Sequence, residues 1–76
     1  MDEKLLDTRG LNCPLPVLKA RKALMAMQPG QRLRVLTTDP KAPDDFREFS
    51  AASGHRLVSL DAVEGGHATV LEKAGR

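Results

Sequence analysis

Between Val17 and Ala26 the apolar side chains recur at helical spacing. At about 100° per residue, Ala20, Leu24, Val17, Met25 and Leu18 fall on one arc, with Lys19, Lys22 and Ala26 opposite. The spacing predicts a first helix over 14–27, stopped by Pro29-Gly30. Before it, Leu5 and Leu6 suggest a short strand that ends at Gly10 and the prolines. After it the period changes to two. In RLRVLTT, residues 32–38, Leu33, Val35 and Thr37 face one side while Arg32 and Arg34 face the other, which is the pattern of a half-buried strand. TDPKAPDD then reads as a turn with two prolines and helix-opening acids. In the following FREFSAASG, Phe46, Phe49 and Ala52 form an apolar stripe and Gly54 a natural C′ stop. RLVSLDAV and HATVLEK are two further strands. Glu64-Gly65-Gly66 joins them as a hairpin, with glycines where positive φ is needed.

The order βαβαββ, with a helix between the first two strands, favours a parallel, right-handed crossover followed by an antiparallel hairpin. The expected architecture is a two-layer α/β (α+β) sandwich: a mixed four-stranded sheet with two helices on one face and an open face carrying some of the arginines. In such a crossover the end of strand 1 and the end of strand 2 share one edge. Cys13 and Asp39 are therefore expected along one rim, with two helix N-termini pointing there.

Length and composition narrow the picture. At 76 residues, with 41% hydrophobic and 29% charged residues, the chain is expected to be one globular domain, 1–76, that folds alone and acts as a monomer. No apolar run approaches the ~20 residues of a membrane span, and the first residues, MDEKLLD, are acidic where a signal peptide is basic. A cytoplasmic location away from membranes is expected. Cys13 is the only cysteine, so no internal disulfide can form.

The net charge of +2 is unevenly spread. Lys19, Arg21, Lys22, Arg32 and Arg34 lie in a stretch without acids, whereas Asp39, Asp44, Asp45 and Glu48 dominate 39–48. Such runs are commonly solvated faces. Arg21, inside the apolar arc, suits an arginine whose stem covers the core while its head reaches water. The alternative is a docking patch of Lys19, Arg21 and Lys22 for an acidic partner or tRNA, extended by Arg32 and Arg34. With no Trp or Tyr and only Phe46 and Phe49, direct nucleic-acid recognition is not expected. Both phenylalanines, Met25 and Met27 read as core.

The chemistry concentrates in GLNCPLP, residues 10–16. Proline is favoured at the first helical position, so Pro14 there would make Cys13 the N-cap, and Pro16 would remove a further amide. The helix dipole would then stabilise a thiolate by about 0.3–1 kcal/mol, roughly half a pKa unit. Arg9 could add to this; Asp7 and Asp39 could oppose it. A cysteine that merely packs before a proline-started helix fits the same spacing, and the spacing leaves both readings open. A redox dithiol lacks its second cysteine, a zinc site lacks ligands in register, and His55 and His67 are isolated near strand ends, expected to face solvent. No cofactor is called for. A lone rim thiol can accept a sulfur atom as a persulfide and surrender it to another thiolate, by the logic of disulfide exchange.

Leu6-Asp7, Gly10-Leu11, Cys13-Pro14-x-Pro16 and Asp39-Pro40 resemble the TusA family of sulfur-carrier proteins, also called SirA-like, over nearly the whole chain. The resemblance implies that Cys13 accepts sulfur from a cysteine desulfurase or rhodanese-type donor. It would pass the sulfur to a downstream relay protein, for tRNA thiolation, cofactor biosynthesis or sulfur oxidation. It further implies that Pro14 and Pro16 shape the site, that Gly10 is the turn leading to it, and that Asp39 is a motif residue, expected to cap helix 2. Some members carry a cysteine in helix 2; here FREFSAAS has none. The chain would be half of a reaction rather than a complete enzyme. A redox-sensing or regulatory interaction module is the alternative.

Overall fold

The computed structural model describes residues 3–75. It contains β1 (Glu3–Asp7), α1 (Leu15–Met25), β2 (Arg32–Thr37), α2 (Ala42–Ser53), β3 (Arg56–Val63) and β4 (Gly66–Glu72). The strands form one mixed sheet in the order β1-β2-β4-β3, with β1 parallel to β2 and both β2–β4 and β3–β4 antiparallel. This is the expected fold class.

The alternation in β2 decides which face is covered. Leu33, Val35 and Thr37 are buried, and their register partners place Leu6, Leu71 and Thr69 on the same side. Ala20 and Leu24 of α1 and Ala42 and Phe46 of α2 join Leu33, Val35 and Leu71 in one core cluster, so both helices lie on that face. Burying side chains the size of Phe46, Leu24, Leu33 and Leu71 contributes about 1.5–3 kcal/mol each.

On the opposite face the arginines are paired. Arg32 meets Glu72 at 3.6 Å, Arg34 meets Glu3 at 3.2 Å, and Arg56 meets Glu72 at 3.5 Å. Such half-exposed pairs add at most about 1 kcal/mol each. They nevertheless engage Arg32 and Arg34 across strands, so these two do not extend a free cationic patch from helix 1.

Several expectations at the helices need correction. The first helix is shorter than 14–27, and its buried residues are Pro16, Ala20 and Leu24, followed by Met27 just beyond its end. Leu18 and Met25 sit roughly 150° round the helix from that row. They are consequently exposed, Met25 to 73%, rather than packed. The C-terminal carbonyls of α1 gain a partner from far along the chain: Lys73 Nζ donates to the Leu24 carbonyl at 2.7 Å, a cation where the helix dipole favours one. α2 ends as expected, with Gly54 at φ 85° donating its N–H to the Ser50 carbonyl.

The two hairpin glycines have different duties. Gly65 takes positive φ, at 80°. Gly66 does not; it opens β4 directly against β2, where an added Cβ would collide with the Thr37 carbonyl. Because that obstacle is backbone rather than a flexible side chain, Gly66→Ala should lower stability by about 1–3 kcal/mol, the range for overpacking a tight contact. Urea unfolding measures this, and a midpoint equal to wild type would contradict it.

Candidate functional site

β1 leads to the site through a sequence of bonds to the end of β2. Buried Thr8 donates both its N–H and its hydroxyl to the Leu36 carbonyl, at 2.9 and 2.7 Å. The Gly10 N–H donates to Thr38 Oγ1 at 2.9 Å, and the Cys13 N–H to Asp39 Oδ2 at 2.6 Å. Between them Gly10 adopts φ 85°, a conformation that a Cβ would strain, which is why glycine suits this turn. Thr8 and Thr38 escaped the sequence reading because a threonine at a strand end carries no periodic signal.

Helix 1 starts one residue later than the proline rule suggested. The Leu15 N–H donates to the Asn12 carbonyl at 2.9 Å, closing a turn around Cys13 and Pro14, whose peptide bond is cis. The Pro14 carbonyl accepts from Leu18 N–H, so Pro14 is the N-cap residue and Cys13 precedes it. Pro16 lies within the first turn and is buried, fixing the helix against the core. The thiol is thus presented just outside the helix, and Cys13 is exposed. The packing-cysteine alternative is not what the fold adopts.

Asp39 occupies the rim as expected, but its side chain does not cap helix 2. Its Oδ1 accepts the Lys41 N–H at 3.1 Å, while its Oδ2 holds the Cys13 amide. The N-cap position of α2 itself is Lys41. A single buried carboxylate therefore ties the turn before α1 to the turn before α2.

The electrostatics reverse the sequence-based expectation. Cys13 Sγ and carboxylate oxygens of Asp39 and Asp45 all lie within 4.8 Å of one another. A hydrogen bond to Asp45 is the largest influence on the thiol, followed by partial desolvation and by the charges of Asp45 and Asp39; together they raise its pKa, and Lys41 opposes them weakly. Arg9 does not help, because its guanidinium is committed to Asp7 at 2.8 and 2.9 Å, holding that carboxyl at about 2. The dipole's contribution, about half a pKa unit, is outweighed by two nearby carboxylates. Asp45 could have been found from helical phase, since it shares a stripe with Phe49 and Ala52 at i, i+4 and i+7 on the helix that opens at this rim. These three groups could also supply ligand atoms to a metal ion, a cluster the sequence reading missed. Both oxygens of Asp39 already accept backbone amides.

The thiol opens onto an apolar cleft between the helices. Cys13, Pro14, Val17, Asp45, Glu48, Phe49 and Ala52 line its first part. It continues past Val17, Phe49 and Ala52 to Leu18, Arg21 and Ser53. Phe46 is core as expected, whereas Phe49 is half-buried and serves both the core and the cleft wall. Arg21 is exposed at the far end of the cleft; Lys19 and Lys22 are exposed outside it. His55 is not solvent-facing: its Nδ1 accepts the Ala74 N–H, its ring lies 5.8 Å from Phe49, and burial lowers its pKa. His67 is half-buried in β4.

Fold and site together define a small α+β domain that offers one exposed thiol at a sheet rim, beside an apolar cleft. The model of the sulfurtransferase TusA family matches residues 4–73, and the chain belongs to that family. It is 49% identical over 61 residues to the sulfur carrier protein TusA of Allochromatium vinosum, covering 80% of this chain and 79% of that one. It is also 44% identical over 72 residues to a candidate sulfur carrier protein of Neisseria meningitidis serogroup A, covering 95% and 97%. Among solved structures, the SirA-like protein of Desulfitobacterium hafniense superposes with a TM-score of 0.76 at 25% identity, over 95% of this chain and 97% of that one.

Asp39→Ala removes the acceptor of two backbone amides and should cost about 1–3 kcal/mol of stability. Amide hydrogen exchange at Cys13 should accelerate in the same variant. Unaltered protection at that amide would show that the turn is held by something other than Asp39.

Proposed function

We propose that Cys13 carries sulfur as a persulfide. The observation that carries the reading is the exposed thiol of a TusA-family chain, held at an apolar cleft between the helices. In the loading step the Cys13 thiolate attacks the terminal sulfur of a donor persulfide. The Sγ–S bond forms, the donor's S–S bond breaks, and its electron pair leaves on the donor cysteine. In the unloading step an acceptor thiolate repeats this attack on the sulfur held by Cys13. Sulfane sulfur moves from thiol to thiol with no net oxidant.

The donor is a cysteine desulfurase or a rhodanese-type protein, and the recipient a further relay protein serving tRNA thiolation, cofactor biosynthesis or sulfur oxidation. The carrier works as a monomer in the cytoplasm; among the described residues no helix is long and apolar enough to cross a membrane. Gly10, Pro14, Pro16 and Asp39 shape the site, while Arg21 at the cleft's end, with Lys19 and Lys22 on other exposed parts of α1, attracts an acidic partner surface. The redox-sensor alternative is the weaker reading, since sensor thiols combine exposure with a low pKa and here the neighbours push it upward.

Incubation with a desulfurase and cysteine, or with a rhodanese and its sulfur donor, should add roughly 32 Da to the wild-type protein and nothing to Cys13→Ser, as mass spectrometry can read. No gain on Cys13 from either donor class defeats the carrier role. For the docking residues, Lys19→Glu combined with Lys22→Glu should slow loading severalfold at low salt, the difference shrinking as salt screens it. Equal loading rates at low salt would remove these lysines from the interface.

A further inference from the structure

The stretch that presents Cys13 has almost no apolar hold on the protein. From Arg9 to Leu15 no residue is buried and Leu11 alone is half-buried, whereas Thr8 before the stretch and Pro16 after it lie in the interior. Polar bonds must therefore decide how it is aimed. The Leu11 N–H donates to the Thr8 carbonyl at 3.1 Å, closing a turn with Arg9 and Gly10 at its centre. Gly10 has φ 85° and Arg9 a negative φ, the signs of a type II turn. A glycine leaves type I open as well, and the two types differ in which way the central peptide, and with it the Gly10 N–H, points.

That N–H donates to Thr38 Oγ1 at 2.9 Å. Thr38 stands on a fixed platform. Thr37 before it pairs with His67 in the β2–β4 ladder, an added Cβ on Gly66 would come within 3.1 Å of the Thr38 Cα, and the Asp39 carbonyl after it accepts the Ala42 N–H at 3.0 Å. Its own side chain is exposed and has no packing duty in the core.

We infer that Thr38 is a positioning residue for sulfur transfer: its hydroxyl locks the Gly10 peptide, and with it the direction in which Cys13 offers its sulfur to a partner. The inference rests on Cys13 being the sulfur-bearing residue. The bond from the Cys13 N–H to Asp39 fixes one point of the loop, and a single point leaves a pivot. The bond from Gly10 supplies a second point, and two points set a line. Attack on a donor persulfide needs the Cys13 sulfur in line with the S–S bond that breaks, an alignment that a displacement of about 1 Å spoils. A small, freely diffusing electrophile has no such constraint, because it approaches an exposed thiol from many directions. Aim therefore matters to a partner whose own sulfur is held in a protein.

Thr38→Val keeps the shape of the side chain and removes the acceptor, while Thr38→Ser retains the acceptor. With a cysteine desulfurase and cysteine as the sulfur source, Thr38→Val should lower the maximal rate of Cys13 loading about threefold to tenfold and leave the KM for the carrier within about twofold of wild type. Thr38→Ser should restore the rate. Alkylation of Cys13 by iodoacetamide should stay within about twofold of wild type in both variants, and the Gly10 amide should exchange faster in Thr38→Val alone. Loading at the wild-type rate in a native-like Thr38→Val protein overturns the inference. Equal slowing of loading and alkylation also overturns it, by placing the effect in the thiol rather than in its aim. Should that variant fail to fold, the wild-type protein decides: its Gly10 amide should be protected against exchange, and exchange at the rate of an open loop overturns the inference. A wild-type chain that takes up no sulfur removes the carrier reading, whereas a carrier whose Thr38→Val variant loads equally well loses this inference alone.

Discussion

The contact between the Cys13 amide and the Asp39 carboxylate is the constraint on which the rest of this rim depends. β1 is an edge strand that gives little to the core: of its five residues Leu6 alone is half-buried and the others are exposed. Hydrophobic burial therefore does little to fix where the chain goes after Asp7. The parallel ladder to β2 holds the strand, and the bonds from Thr8, Gly10 and Cys13 carry that pairing past the strand's end. Only when residue 13 is anchored is the start of α1 defined, and with it the direction from which the thiol is offered. A carboxylate bonded to buried or half-buried amides is a strong anchor, since charge-assisted hydrogen bonds are roughly twice as strong as neutral ones.

The same rim shows two physical demands acting on one short stretch. Helix 2 begins with proline and two aspartates, a composition that follows from its free N–H groups and positive dipole end. Cys13, presented at the beginning of helix 1, would by that logic be a good thiolate. Because the crossover topology brings both helix starts to one edge, the acid that suits the second helix lies against the sulfur before the first. Coulomb repulsion at this range exceeds a partial dipole charge, and the thiol follows the carboxylates.

Much of this arrangement was legible in the amino-acid sequence. The alternation of Leu33, Val35 and Thr37 against Arg32 and Arg34 identified the covered face of β2. The order of helical and strand periods yielded the layers, and crossover geometry put Cys13 and Asp39 on one rim. What escaped depends on distances that periodicity does not encode. Asp45 reaches Cys13 across 32 positions of chain, and Lys73 reaches the end of α1 across 49. The one-residue offset of helix 1 came from the turn closed by Asn12 and Leu15, a local bond that competes with the proline preference. Met25 and Leu18 belong to a broad apolar arc of which the sheet accepts only a narrow row, and both are exposed.

The anchor at residue 13 grips the backbone amide, and the sulfur takes no part in that bond. Chemistry at the sulfur therefore disturbs none of the contacts that fix the loop. An empty and a charged carrier would share one frame, and a partner deciding whether to deliver or to collect would have almost nothing to recognise except the extra atom. Traffic direction in such a relay is then set by the relative affinity of each sulfur for its neighbours, and not by a change of shape in the courier.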